Sequence, residues 1–139
     1  MRDSGWGGGQ NTGSIVRLRP QANLPLGIAE VRVQPSGFQI TFTGAVDRAK
    51  ASQLSAYSLR SYRRIATPAY GGNDVDERTE HVRRVRLDDS GRIATIGLDN
   101  LRAGFVYELR VGEIGAAGQS LQPAEAHYSL NRIPAAASR

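Results

Sequence analysis

The chain has 139 residues, 40% of them hydrophobic, no cysteine and a formal net charge of +5. That length makes one domain with room for a buried core. The missing cysteines exclude disulfides, thiolate catalysis and Cys-based zinc sites, and apolar runs of only a few residues fall far short of a membrane span.

Residues 1–13 carry five glycines and the single tryptophan, Trp6. Such a segment buries too little to offset its ordering entropy, so it reads as a tail or linker. Residues 14–19 suit a short strand, with Ile15, Val16 and Leu18 set among Arg17 and Arg19. Pro20 and Pro25 bracket a loop. Residues 31–47 then hold two alternating runs around a Pro-Ser-Gly turn. Val31 and Val33 face one way and Arg32 and Gln34 the other. Phe38, Ile40 and Phe42 share a face opposite Gln39, Thr41 and Thr43. A period of two marks strands with one buried face, and antiparallel sheets are its usual home. The hairpin is expected over 28–34 and 38–44.

Asp47 is a plausible N-cap for one or two helical turns over 47–54. Residues 55–62 are strand-like, with Tyr57 and Leu59 on one face. Residues 67–80 form the longest irregular segment, with Pro68, Tyr70-Gly-Gly and the acidic Asp74, Asp76, Glu77 and Glu80. Loops of that length are uncommon in compact domains and often functional. A basic strand is expected over 81–88, a turn at Asp89-Ser-Gly91, a return strand over 92–98 and a turn-rich link over 99–104. Two further strands follow over 105–111 and 126–130, with Tyr107 and Tyr128 turned inward. About seven short strands separated by regular turns predict an all-β, immunoglobulin-like β-sandwich with one short helix. The expected bounds are 14–134, with a disordered tail over 135–139.

The Thr41-Phe-Thr-Gly-Ala-Val-Asp47 exit, the short helix, Ala56-Tyr-Ser, the Leu98-Asp-Asn-Leu-Arg-Ala-Gly-Phe-Val-Tyr-Glu-Leu109 run and Gly118-Gln-Ser-Leu resemble the bacterial Ig-like domains of S-layer and cell-surface proteins. A second resemblance covers nearly the whole chain. Gly5-Trp-Gly-Gly-Gly, Thr12-Gly-Ser-Ile-Val-Arg-Leu, Gly37-Phe-Gln-Ile-Thr-Phe-Thr, Ala69-Tyr-Gly-Gly and Tyr128-Ser-Leu-Asn-Arg-Ile-Pro134 are similar to the C-terminal module of large secreted proteins. Those proteins carry sorbosone/glucose-dehydrogenase-like propellers and often c-type haem domains. Tyr57, Tyr62 and Tyr70 match that module, while Arg63, Arg64 and Ile65 stand where it usually has further aromatics. The resemblance implies an accessory module without catalysis of its own, partnered by polysaccharide or a neighbouring catalytic domain. It also implies a secreted, periplasmic or cell-surface location. A secretion signal would then lie outside these residues, since Met1-Arg-Asp-Ser-Gly-Trp is too polar for one.

The residues themselves offer little chemistry. Asp88-Asp89-Ser-Gly reads as a turn. Asn73, Asp74 and Asp76 alternate in a way compatible with calcium, but the spacing matches no defined calcium loop. His81 and His127, the only imidazoles, lie on different strands, and nothing fixes them as neighbours. No Ser-His-Asp order, nucleophile elbow or phosphate loop appears, and no Cys-x-x-Cys-His supplies a haem site. No cofactor or metal is expected. Lys50 is the single lysine, and the arginines are scattered, clustering only at Arg63-Arg64 and Arg83-Arg84-Val-Arg86. That scatter reads as solvated strand faces and argues against a nucleic-acid partner. The best ligand-binding candidates are Tyr62, Arg63, Arg64, Tyr70, Asp74 and Asp76, the tyrosines and arginines as a small polar-aromatic patch for glycan or acidic polymer. The alternatives are a cell-surface scaffold or protein-interaction domain with no small ligand, and a small enzyme or metal-binding domain using the 74–81 acidic segment.

Overall fold

The computed structural model describes residues 17, 19, 24–68 and 71–136. Among the described residues, eight strands form two four-stranded antiparallel sheets. The first sheet has the order β1 (Ile28–Gln34), β2 (Gly37–Phe42), β6 (Ile93–Leu98), β5 (Val82–Leu87). The second has the order β4 (Asp74–Glu80), β3 (Tyr57–Arg64), β7 (Phe105–Val111), β8 (Glu125–Leu130). The chain therefore builds the β-sandwich that the alternation predicts. The strand expected over 14–19 falls, apart from Arg17 and Arg19, outside the described residues.

The period-two pattern works as physics requires. Phe38, Ile40 and Phe42 from β2 and Ala94, Ile96 and Leu98 from β6 point into the core, where they meet Tyr57, Leu59, Tyr107 and Leu109 of the second sheet. Tyr107 and Tyr128 do turn inward. Their rings lie 5.1 Å and 5.4 Å from that of Phe38, at tilted and edge-on angles, arrangements that aromatic quadrupoles favour. Helix α1 (Arg48–Ala51) is a single turn. The Asp47 carboxylate accepts the Lys50 N–H at 3.0 Å, the cap that the sequence suggests. The Tyr57 hydroxyl donates to the Ala51 carbonyl at 2.8 Å and ties α1 to the second sheet. Burial pushes this phenol up to about 12, so it stays a donor.

One expectation is overturned. The acidic segment is not a loop through to residue 80: Asp74–Glu80 is β4, the edge strand of the second sheet. The link between β3 and β4 shrinks to 65–73, of which 65–68 and 71–73 are described. Asp74-Val-Asp-Glu-Arg-Thr-Glu80 has no apolar alternation, so hydrophobic periodicity does not reveal it. Cross-strand charge pairs hold it instead. Within it, Ser61 faces Arg78 whereas Arg63 faces Val75, so β4 carries one extra residue. Asp76 at this bulge has φ +54°, a left-handed conformation that Asp tolerates better than most residues.

Truncating Phe38 to Ala should lower unfolding free energy by about 3–5 kcal/mol, measured by urea denaturation. Asp47→Ala should cost about 1 kcal/mol through its lost cap.

Candidate functional site

The sequence-selected residues converge on the β3–β4 ribbon. On β3 the side chains of Ser58, Arg60, Tyr62 and Arg64 face outward, while Tyr57, Leu59 and Ser61 face the core. Arg64 donates to Asp74 at 2.9 Å and 3.1 Å. Arg63 Nε donates to Asp76 at 2.9 Å. Asp74 and Asp76 thus serve as guanidinium acceptors rather than converging on a shared cation site.

Tyr62 is 4% exposed. The Arg60 and Arg64 guanidinium groups lie 5.0 Å and 5.6 Å from its ring centre, within cation–π range. Its ring is covered rather than standing open as a platform for a sugar. Tyr70 lies outside the described residues.

Sequence reading missed the residue at the centre of this face. Glu108 on β7 is 4% exposed. It accepts from Arg60 at 2.6–2.7 Å and from Arg110 at 2.8 Å. The network extends outward from both arginines. Arg60 also donates to Glu77 at 2.8 Å, and Arg110 to Glu125 at 2.8 Å. His127 Nε2 lies 3.0 Å from Glu125. Register explains the assembly: Arg60 faces Glu108 across β3–β7, and Glu108 faces His127 across β7–β8. A detectable signal existed, since Arg60, Glu108 and Arg110 occupy outward positions of alternating strands. Glu108, Glu125 and His127 have ligand atoms within 4.8 Å of one another. Arg60 and Arg110 already neutralise the two carboxylates, which weakens any attraction for a cation. Hydrogen bonding from Arg60 holds the Glu108 carboxyl below its ordinary range.

A second polar cluster faces inward at the end of the core. The Ser61 hydroxyl, 0% exposed, donates to Glu80 Oε1 at 2.5 Å. Arg78 grips both Glu80 oxygens at 2.7–2.9 Å. Arg102 donates to Ser61 Oγ, its guanidinium stacks 3.7 Å from the centre of the Phe105 ring, and its backbone N–H donates to the Tyr107 hydroxyl at 2.7 Å. Arg102 also reaches the Asp76 carbonyl at 3.2 Å, bracing the bulge. This clamp fastens the 99–104 link to β3 and β4.

His81 joins β4 to β5 where the chain passes between sheets, far along the fold from His127 on β8. The Asp88 turn is as expected: its carboxylate accepts Ser90 Oγ at 2.5 Å, Ile93 N–H at 2.9 Å and Arg92 N–H at 3.0 Å.

No family model matches the chain, and no curated protein sequence matches it. Solved structures do. The S-layer protein rSbsC(31-844) superposes with a TM-score of 0.58 and 23% identity, over 83% of this chain and 15% of that one. The N-terminal part of the bacterial S-layer protein SbsC gives 0.57 and 21%, over 78% and 24%. Domains 1–6 of surface layer protein SbsC give 0.53 and 21%, over 76% and 14%. Identities this low show a shared fold, and this chain spans a quarter or less of each neighbour.

Glu80→Ala should destabilise by about 3 kcal/mol, because it leaves Ser61 and Arg78 without their buried acceptor. Asp88, Asp99 and Glu108 all titrate below their ordinary values when folded, chiefly through hydrogen bonds from Ser90, Arg83 and Arg60 respectively. Their contribution is present above the unfolded carboxylate range, about pH 4, and is lost as pH falls through the lower folded values. Thermal midpoints should hold between pH 7 and 5 and fall below about 4, with a shallower acid limb in Glu108→Gln.

Proposed function

We propose that this chain is a structural and interaction module of a multidomain cell-surface protein, without catalysis of its own. The observation that carries the reading is the path of the chain through the sandwich. Ile28 N–H donates to the Pro123 carbonyl at 2.8 Å, and Gln122 N–H donates to the Leu26 carbonyl at 2.7 Å, so β1 and β8 start side by side. Gly27 makes this approach possible, since a Cβ there would sit 2.2 Å from the Gln122 carbonyl oxygen. Farther along, Val33 pairs with Phe38, and the Phe38 ring meets Tyr128 near the end of β8. The two strands therefore run in the same direction. The chain comes in at one pole and goes out at the other, separated by a strand length of about 20 Å.

Such a geometry suits modules strung in line. The exposed large hydrophobic residues Leu24, Leu54, Ile65 and Ile133 agree with it. Leu24 and Leu54 flank the incoming pole, just before β1 and β3. Ile65 and Ile133 flank the outgoing pole, just after β3 and β8. The outward side of the second sheet is instead covered by ion pairs, in which each carboxylate is an arginine acceptor rather than a poised acid or base. The fold shared with S-layer proteins supports a surface scaffold.

The similarity to the C-terminal module of propeller-bearing dehydrogenase-like proteins supports a second reading, in which the outgoing or incoming pole packs on a catalytic neighbour. Sequencing the parental reading frame separates the two: a propeller-coding region favours the second, repeated sandwich modules the first.

Two copies joined through their own flanking residues should scatter as an elongated particle, with a maximum dimension nearly twice that of one copy. A compact side-by-side pair would count against the in-line reading. On intact cells of the source organism, added protease should degrade the protein. Full protection until lysis would rule out a surface location.

A further inference from the structure

We infer that the outward face of the first sheet is a binding surface for an anionic glycan, a polysaccharide bearing carboxylate or phosphate groups. This goes beyond the scaffold reading and does not depend on it.

The two outward faces differ in how their charges are used. On the second sheet the arginines Arg60, Arg64 and Arg110 each hold a carboxylate. On the first, β5 presents Arg84 and Arg86 on the same side, two residues and about 7 Å apart, both exposed. Neither has a carboxylate partner among the described residues. The register lays out the floor beside them. Arg86, Thr95, Gln39 and Arg32 form one row across the four strands, and Arg84, Gly97, Gly37 and Gln34 form the next. Arg32 at the far edge is paired to Glu30 at 2.8 Å, so the free positive charge sits at the β5 side.

Arg84 is held in place rather than left to wave in solvent. A Cβ on Gly97 would lie 2.5 Å from Arg84 Nε and 2.6 Å from its Cγ. Glycine in this central strand therefore leaves a lane in which the Arg84 side chain lies across the sheet. At its end Arg84 Nη2 donates to Ser36 Oγ at 2.8 Å. The guanidinium keeps its remaining donors for a ligand, and its rotamer is already fixed, which lowers the entropy cost of binding. A depression lined by Arg86, Gln39, Thr95, Asp88 and Asp89 borders the surface; the Asp88 carboxylate is turned to Ser90 and the Arg92 and Ile93 N–H groups, so the ligand's acidic groups seat on the Arg84 side.

The chemistry of the floor selects among polyanions. Single-stranded nucleic acid needs aromatic side chains for base stacking, and this face has none among the described residues. Protein partners need an apolar, aromatic-rich centre, whereas the large aliphatic residues here, among the described residues, are Ile93 and the half-buried Leu87. Gln34, Gln39, Thr41 and Thr95 instead offer amides and hydroxyls to a hydroxyl-rich polymer, while Arg84 and Arg86 take its acidic groups, with bidentate geometry available to each.

Binding of the full chain to polygalacturonate and to phosphomannan tests this by calorimetry at low and moderate salt, with dextran, poly-L-glutamate and oligo-dT as comparison polymers. At least one of the two acidic polymers should bind, and weaken with salt. The double variant Arg84→Gln, Arg86→Gln should lose at least tenfold in affinity, and Gly97→Ala, which pushes Arg84 out of its lane, about threefold. Arg132→Gln, a cation just after β8 of the second sheet, should bind as the unaltered chain does. Circular dichroism and the thermal midpoint check that each variant is folded, and Ser36→Ala, which frees Arg84 without touching the core, gives a second route if Gly97→Ala does not fold. Preference between the two acidic polymers identifies the carboxylate or the phosphate form. Absence of binding to both, unchanged affinity in the double arginine variant, or equal binding of polyglutamate or oligo-dT would overturn the inference.

Discussion

The contact of Phe38 with Tyr107 and Tyr128 joins the two sheets, and the rest of the molecule is arranged around it. Phe38 comes from the first sheet and both tyrosines from the second. Closing that contact fixes which face of every strand is interior, because alternation then leaves no choice along β2, β6, β3 or β7. It also sets β1 beside β8, and hence the opposite poles at which the chain comes in and goes out. The Tyr107 hydroxyl, accepting the Arg102 N–H, extends the same core contact to the clamp of Arg102, Ser61, Glu80 and Arg78.

Charge pairing takes over where apolar burial ends. β4 contributes little to the core besides the flank of Glu80, and an edge strand so polar would not stay paired through hydrophobic contact. Arg60, Arg63 and Arg64 supply the missing attraction, each reaching a carboxylate on β4. Individually, exposed pairs of this kind contribute little, about 0–1 kcal/mol. Here they act together along one ribbon, and Glu80 and Glu108 are shielded from water. The strand gains registry from them, and the charged edge resists edge-to-edge association.

The two outward faces thus divide the arginines by use. The second sheet spends its arginines on its own carboxylates, while the first leaves Arg84 and Arg86 free and lays one of them in a glycine lane. Arg84 and Arg86 are thus two cations without a carboxylate partner among the described residues, side by side on one strand.

Much of this was legible from the chain alone. Phe38, Ile40 and Phe42, the Asp47 cap, the Asp88 turn and the inward Tyr107 and Tyr128 follow from local rules, because period-two burial and turn chemistry are written in neighbouring residues. The β4 strand, the Glu108 network and the covering of Tyr62 were not. The first two depend chiefly on partners 10 to 48 positions away, and sequence spacing does not say which arginine will face which carboxylate; Tyr62 is covered by Arg60 and Arg64, two positions along its own strand, and alternation alone does not say that they fold over its ring. Sequence determined most of the strands and their buried faces; only tertiary pairing decided that the acidic segment is structure rather than loop, and which positive charges remain unspent, because Arg60, Arg63, Arg64 and Arg83 are neutralised by carboxylates brought to them by the fold and not only by those beside them in the chain.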